Sequence, residues 1–213
     1  MRRVFFILTV LFSISASAQV RWGAVAGGGA SNLNAMDLVS TSRLINVNAG
    51  LAADIKISKE IHLLTELLYA PLGYKNSNLD AVDRSGNNLG KIEMHRVNYI
   101  NVPLYLLYAG NLKDFILHAG LGPFFSFRAG DKLQIQNGEE YRSGSVFPAG
   151  VKDINSLAGI GFYMSAEWSS IMLALHFQQS FNNIYENQPP YETNWKINTF
   201  GISVGYYFKK IKK

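Results

Sequence analysis

Alternation of apolar and small polar residues at every second position is the feature that most limits what this chain can fold into. The clearest case is residues 199–208, whose apolar face consists of Phe200, Ile202, Val204, Tyr206 and Phe208. Its other face consists of Thr199, Gly201, Ser203 and Gly205. Because successive side chains of a strand point to opposite faces, a period of two predicts β-structure.

Such segments recur about eight times along the chain. Four more alternate clearly, at 46–57, 99–108, 158–168 and 171–178. Three are noisier, at 20–30, 61–73 and 115–127. Strands of about 9–11 residues are long enough to cross a membrane at a tilt.

The chemistry of the two faces indicates which one points outward. One face is a nearly continuous band of aliphatic and aromatic residues, while the other holds glycines, amides, hydroxyls and isolated charges. In a water-soluble barrel, the apolar face would form a large exposed apolar patch if it pointed outward. If it pointed inward, the surface in contact with water would be glycine-rich and poor in charge. Apolar residues toward lipid and small polar residues toward the lumen remove this conflict, and closure of the sheet removes unpaired edges. We therefore predict an all-β fold, an eight-stranded antiparallel up-and-down transmembrane β-barrel.

The connections between the segments alternate in length without exception. The long ones are 31–45, 75–95, 128–155 and 182–195, and the short ones are 58–60, 110–114 and 169–170. Bacterial transmembrane barrels have short periplasmic turns and longer extracellular loops. Aromatic residues near the segment ends are typical of interfacial girdles. These residues are Trp22, Tyr69, Tyr74, Tyr108, Trp168, Trp195, Tyr207 and Phe208.

The N-terminal segment has the features of a signal peptide. Arg2 and Arg3 precede a short apolar run, and Ala16-Ser17-Ala18 is a small-residue cleavage signal. We predict three parts: a signal peptide over 1–18, an outer-membrane barrel over 19–208 and a basic tail over 209–213. Loss of the two arginines lowers the formal charge from +5 to +3. No basic face recurs along the mature chain, so we predict no nucleic-acid partner.

Composition narrows the chemistry. The chain has no cysteine, which excludes disulfides, thiolate metal sites and a cysteine nucleophile. An eight-stranded barrel is just wide enough for side chains to fill, which disfavours a wide diffusion pore. The predicted interior polar residues are Asp54, Lys56, Glu66, Tyr105, His118, Glu167 and His176. Because buried charges require pairing, we expect a structural network in which Lys56 or Arg21 binds Glu66 and Glu167.

The sequence predicts no catalytic, cofactor or metal residues. The one grouping typical of an enzyme is His95 with the loop residues Asp80, Asp83 and Ser85. The glycines at 27–29 lack the downstream Lys-Ser/Thr of a nucleotide loop. Two alternatives to a non-enzymatic barrel stay open: a lipid or peptide hydrolase at the outer-membrane rim, and a soluble lipocalin-like ligand carrier.

Several strings resemble the PorT-like outer-membrane β-barrel family of Bacteroidetes. They are residues 23–28 followed by Ser31-Asn32-Leu33, residues 66–69 followed by Gly73-Tyr74-Lys75, the Y-x-x-x-P-L string at 99–104, the glycine-proline string at 119–123, and the closing aromatic strand at 201–208. The chain departs from the family pattern in having five residues after Phe208, four of them lysine. The resemblance implies an eight-stranded outer-membrane barrel connected with protein secretion and surface assembly. The expected partners are outer-membrane lipid and, through the long loops at 75–95 and 128–155, other envelope or secretion proteins.

Overall fold

A computed structural model describes residues 19–35, 41–75, 79–83, 85–142, 146–148, 151–153, 155–183, 185–187 and 195–208. The predicted signal peptide and basic tail lie outside these described residues. The strands, in chain order, are β1 (Gln19–Ala35), β2 (Ser42–Lys56), β3 (Ile61–Lys75), β4 (Asp80–Asp83), β5 (Asn88–Leu112), β6 (Phe115–Ile135), β7 (Glu140–Arg142), β8 (Val146–Pro148), β9 (Val151–Asp153), β10 (Ser156–Trp168), β11 (Ile171–Ser180), β12 (Tyr185–Asn187) and β13 (Trp195–Tyr207).

The long strands form a closed antiparallel ring. Its order is β1-β2-β3-β5-β6-β10-β11-β13, and β13 pairs with β1 to close it. The closing register runs from Gly23 opposite Tyr207 to Ala35 opposite Trp195. Every strand of the ring therefore has a hydrogen-bonded neighbour on both sides, as a barrel wall in lipid requires. The predicted eight-stranded barrel is confirmed.

Strand length differs from the prediction of about 9–11 residues. The ring strands have 10 to 25 residues, with β5 the longest at 25 and β6 next at 21. As a result, much of the predicted loops 75–95 and 128–155 is paired strand, including the short strands β4, β7, β8 and β9. The prediction failed there because strands in water keep their ladder hydrogen bonds without needing a continuous apolar face.

The short connections lie at one end of the barrel, which we call the short-turn end. They are residues 57–60, Lys113-Asp114 and Ser169-Ser170. The middle one is shorter than the predicted 110–114, because β5 continues to Leu112. Lys113 and Ser169 have φ of 53° and 61°, the left-handed conformation that two-residue hairpin turns demand. The opposite end is the long-loop end.

The outer wall carries the predicted apolar band. Its exposed side chains include Val47, Leu51, Leu106, Leu121, Phe162, Leu173, Ile202 and Val204. Among the predicted girdle residues, Trp22, Tyr69, Tyr108, Trp168 and Phe208 are exposed. Within the described ranges no helix has the length and hydropathy to cross a bilayer.

Two of the predicted girdle aromatics point into the lumen and not toward lipid. Tyr74 is 0% exposed and Tyr207 is 4% exposed, because both lie on the lumen face of their strands. Proximity to a strand end was an insufficient criterion, since the face of the strand decides where a side chain points. The side chain of Trp195 lies outside the described residues.

Apolar side chains fill the lumen in two layers. The inner apolar cluster contains Val25, Ala52, Leu64, Leu68, Tyr105, Leu107, Tyr163, Met172, Ala174 and Tyr207. The outer apolar cluster, at the long-loop end, contains Leu33, Leu72, Tyr74, Ala81, Ile92, Val97, Tyr99, Phe124, Leu133, Ile135, Leu157 and Ile197. The interior thus holds more large apolar side chains than the predicted small polar filling. Glycines make room for them, since a Cβ on Gly161 would overlap the ring of Tyr105.

Candidate functional site

A charged cluster lies across the lumen near the short-turn end, with Arg21 at its centre. Arg21 is directly opposite Asp54 in the β1–β2 register, so the two side chains enter the lumen together. Its Nε donates to Asp54 Oδ2 at 3.1 Å. Its Nη1 and Nη2 donate to the two carboxylate oxygens of Glu167 on β10, at 2.6 and 2.9 Å. One guanidinium thus bridges strands on different sides of the barrel with the paired geometry that arginine and carboxylates favour.

Two histidines extend this cluster. His62 Nδ1 lies 2.9 Å from Asp54 Oδ1 and donates to it, since an ionised carboxylate only accepts. His118 Nε2 lies 3.6 Å from Glu167 Oε2. The two imidazoles meet edge to face with centroids 5.2 Å apart. Arg21, Asp54, Glu167, His62 and His118 therefore form a closed circuit of contacts, which we call the charged ring.

The ring of Tyr207 covers the guanidinium of Arg21, whose central carbon lies 4.1 Å from the ring centroid. A cation over an aromatic face is attracted by the ring quadrupole, and burial strengthens this attraction. Arg21 is thereby held by two carboxylates and an aromatic face. The arrangement compensates its charge where water is largely excluded.

The residues of the expected interior network lie at different heights in the lumen. Arg21 does bind Glu167, and Asp54, Glu167 and His118 all belong to the charged ring. Lys56 makes no ion pair with a described residue, and Glu66 is not bound by Arg21. The reason is register: on the lumen face of β3, Glu66 lies two inward positions further from the short turn than His62. His62 is the ring member that the sequence prediction missed, although its place on the same face as Glu66 could have indicated it.

A belt of polar side chains spans the middle of the lumen. Asn101 donates to Gln178 Oε1 at 3.0 Å and accepts from Ser126 Oγ at 2.9 Å. Gln178 in turn donates to Tyr105 OH at 2.8 Å. The belt joins β5, β6 and β11 and satisfies most of these buried groups. Tyr105, one of the residues expected in the interior, belongs to this belt.

Glu66 faces a small cavity beside this belt. The cavity has a volume of about 20 Å³, enough for about one water molecule, and Asn48, Tyr105 and His176 also line it. Glu66 Oε1 and Asn48 Oδ1 have no hydrogen-bond partner among the described residues. His176, also predicted to be interior, lies against Gly201, where an added Cβ would overlap the imidazole. Of the seven predicted interior residues, Asp54, His118 and Glu167 belong to the charged ring, whereas Lys56, Glu66, Tyr105 and His176 lie outside it.

Replacing Glu66 with glutamine is expected to stabilise the barrel by about 1–3 kcal/mol. Burial removes the hydration of this carboxylate and no hydrogen bond replaces it. A neutral amide of the same shape depends less on hydration, so its burial costs less free energy. Urea unfolding in detergent micelles measures the change, with Glu60→Gln in the exposed turn as the control. A lower unfolding midpoint for Glu66→Gln would contradict this account.

The structure describes the contacts of His95, Asp80 and Asp83, which belong to the one grouping typical of an enzyme. His95 is buried, with Nε2 3.4 Å from Asp131 Oδ2 and its ring edge to face with Tyr74. Asp80 pairs with Lys91 at 2.8 Å, and Asp83 accepts hydrogen bonds within its own turn. Among the described residues no three His, Asp or Glu side chains cluster as metal ligands.

The long-loop end carries local polar contacts in water. Asp83 accepts from the Asn87 side chain at 2.8 Å and from the Asn87 backbone N–H at 2.9 Å. These hydrogen bonds hold the pKa of Asp83 below its ordinary value. Tyr141 donates to Glu139 at 2.6 Å, which likewise lowers the pKa of that carboxyl. Such short-range bonds stiffen the turns between the extended strands.

A closed eight-stranded ring, an apolar outer wall and a paired polar interior are the marks of a bacterial transmembrane barrel. The sequence matches the outer membrane protein beta-barrel domain family over residues 12–186. The chain belongs to this family. It is an outer-membrane protein, which excludes the soluble lipocalin-like alternative. No curated protein sequence matches this outer-membrane barrel.

Solved structures of the same architecture are similar to this outer-membrane barrel. Ail, the attachment invasion locus protein of Yersinia pestis, has 10% identity and a TM-score of 0.45, over 89% of this chain and 99% of that one. Neisserial surface protein A has 11% identity and a TM-score of 0.47, over 90% and 99%. OprG from Pseudomonas aeruginosa has 12% identity and a TM-score of 0.45, over 90% and 95%.

Proposed function

We propose that this outer-membrane barrel is a non-enzymatic envelope component that acts by binding a partner at its long-loop end. In this proposal the chain is a PorT-like protein of Bacteroidetes, exported by a signal peptide cleaved after Ala18. Its partners are envelope or secretion proteins. The observation that carries the proposal is the pair of strands that continue far beyond the membrane at that end.

The length of β5 and β6 sets the scale of this extension. At about 3.3 Å per residue, the 25 residues of β5 come to roughly 80 Å of strand, against a lipid-facing band about 25 Å tall. Even at a 45° tilt, more than half of β5 lies outside the band. The outer apolar cluster packs inside this extension and makes it a rigid platform rather than a set of loose loops.

The filled lumen supports binding over transport. From the short-turn end inward, a solute meets the charged ring, the inner apolar cluster, the polar belt and the outer apolar cluster. Among the described residues, the cavity beside the belt has a volume of about 20 Å³, which accommodates about one water molecule and no larger solute. A barrel filled in this way offers its ends and its wall for contact.

Site-specific photo-crosslinking in cells of the source organism tests the proposal. A photoreactive residue at the exposed Glu139, on the long-loop end, is expected to give discrete protein adducts. The same residue at the exposed Lys59, in a short turn, is the matched control and is expected to give none of these adducts. Identical adduct patterns at both positions, or none at Glu139, would contradict binding at the long-loop end.

Conductance of the purified protein in planar bilayers tests the closed lumen separately. We expect no stable current steps, with a general porin as the positive control. Stable, reproducible steps would favour a channel and would overturn the proposal even if adducts were found.

A further inference from the structure

A basic vestibule lies at the short-turn end, between the charged ring and the surrounding water. It has a volume of about 250 Å³ and is lined by Lys56, Lys59, His62, Ala109, Asn111, Lys113 and Ile116. These residues come from the β2–β3 and β5–β6 hairpins, which are neighbours because β3 pairs with β5. The pairing therefore brings three lysines of two distant chain segments to one concave site.

Three lysine ammonium groups are the charged donors that line the vestibule. No carboxylate lines it, and Lys56, Lys59 and Lys113 make no ion pair with any described residue. By contrast, at the long-loop end Lys91 pairs with Asp80 at 2.8 Å and Lys132 with Glu140 at 2.6 Å. The three vestibule lysines therefore lack the paired carboxylate that Lys91 and Lys132 have.

The inner end of the vestibule is bounded by His62 and, behind it, by the charged ring. His62 forms its inner wall, and its Nδ1 is held by Asp54 Oδ1 at 2.9 Å, so the rest of the imidazole is fixed in orientation. Behind it, Arg21 is fully engaged by Asp54 and Glu167 and is not available to a ligand. A ligand that enters from water therefore stops among the lysines.

Three ammonium groups around one concave volume repel each other, and an anion between them offsets this repulsion. A phosphate group has the charge and the several acceptor oxygens to bind all three at once. We propose that the basic vestibule binds a phosphate group. Because short turns of such barrels face the periplasm, the phosphate comes from that side. Its source is either a soluble phosphate compound or the headgroup of an inner-leaflet phospholipid.

The first arm of the test uses the folded barrel in dodecyl maltoside micelles, which contain no phosphate. Titration with inorganic phosphate, followed by calorimetry, is expected to show saturable binding that the double variant Lys59→Gln/Lys113→Gln weakens by about tenfold. Lys91→Gln, whose lysine is paired at the opposite end, is the matched control and should bind as the unmodified chain does. Heat-dependent gel mobility confirms that each variant is folded.

The second arm separates the two sources. The barrel is placed in nanodiscs of phosphatidylglycerol, and phosphorus NMR follows the lipid signal and that of added inorganic phosphate. Binding of inorganic phosphate in both environments assigns a soluble compound. Immobilised phosphatidylglycerol that is released in the double variant assigns a lipid headgroup. No saturable phosphate or lipid binding in either arm, or equal weakening by Lys91→Gln, overturns the proposal.

Discussion

Replacing Arg21 with methionine is expected to lower the free energy of unfolding by about 3–5 kcal/mol. The methionine keeps most of the side-chain volume but leaves the carboxylates of Asp54 and Glu167 buried without the positive charge of the guanidinium. Removing one partner of a buried ion cluster is costly because the remaining charges have lost their hydration. Urea unfolding in detergent micelles, followed by tryptophan fluorescence and gel mobility, measures the loss.

Two further variants show whether the loss comes from charge. Arg43→Met, at an exposed position of β2, is the matched control and should change stability by less than about 0.5 kcal/mol. The triple variant Arg21→Met/Asp54→Asn/Glu167→Gln removes all three charges and should recover part of the lost stability. If Arg21→Met and Arg43→Met had equal effects, or the triple variant were the least stable, the charged ring would not stabilise the barrel as described.

Replacing Gly122 with alanine is expected to impair folding of the barrel, at or above the upper end of the roughly 1–3 kcal/mol typical of overpacking. A Cβ at this position would overlap the backbone carbonyl oxygen of Leu104 and lie 3.0 Å from Tyr105 Cα. The clash is with the neighbouring strand itself, so no side-chain rotation relieves it. Loss of the heat-dependent mobility shift after refolding into micelles reports the defect.

Gly110→Ala is the matched control for this prediction. Gly110 lies near the end of the same strand as Leu104, and an added Cβ there has no neighbour within 4 Å. We expect this variant to fold as the unmodified chain does. A normal mobility shift in Gly122→Ala would show that β5 and β6 can separate locally, against the close approach that the register describes.

The sequence predicted the wall of the barrel well because the wall is governed by local rules. The side chain of each strand residue points to the opposite face from its neighbour, so the alternation at 199–208 assigns Ile202 outward and Ser203 inward without further information. Bilayer thickness and turn length then relate the pattern to eight crossings. None of these inferences depends on which strands face each other across the lumen.

The contents of the lumen depend on distant contacts, and there the sequence was less informative. Arg21 and Glu167 are 146 residues apart, and their bond depends on barrel closure and on the register of every intervening pair. The alternation along a strand shows that a residue such as Glu66 points inward. It does not show which residue of another strand that side chain contacts. Arg21 binds Asp54 and not Glu66 because Asp54 lies at the same height along the barrel axis as Arg21, whereas Glu66 lies further from the short-turn end.

The sequence by itself determined the all-β class, the number of crossings, the short turns and the orientation of most wall residues, because each follows from period-two patterning and bilayer thickness. Only the tertiary structure decided the membership of the charged ring, the basic vestibule and the strand extension at the long-loop end. In water, two strands continue to pair wherever their backbone hydrogen bonds match, whether or not their side chains alternate in hydropathy. Contacts across the lumen depend on the shear and closure of the barrel rather than on local sequence.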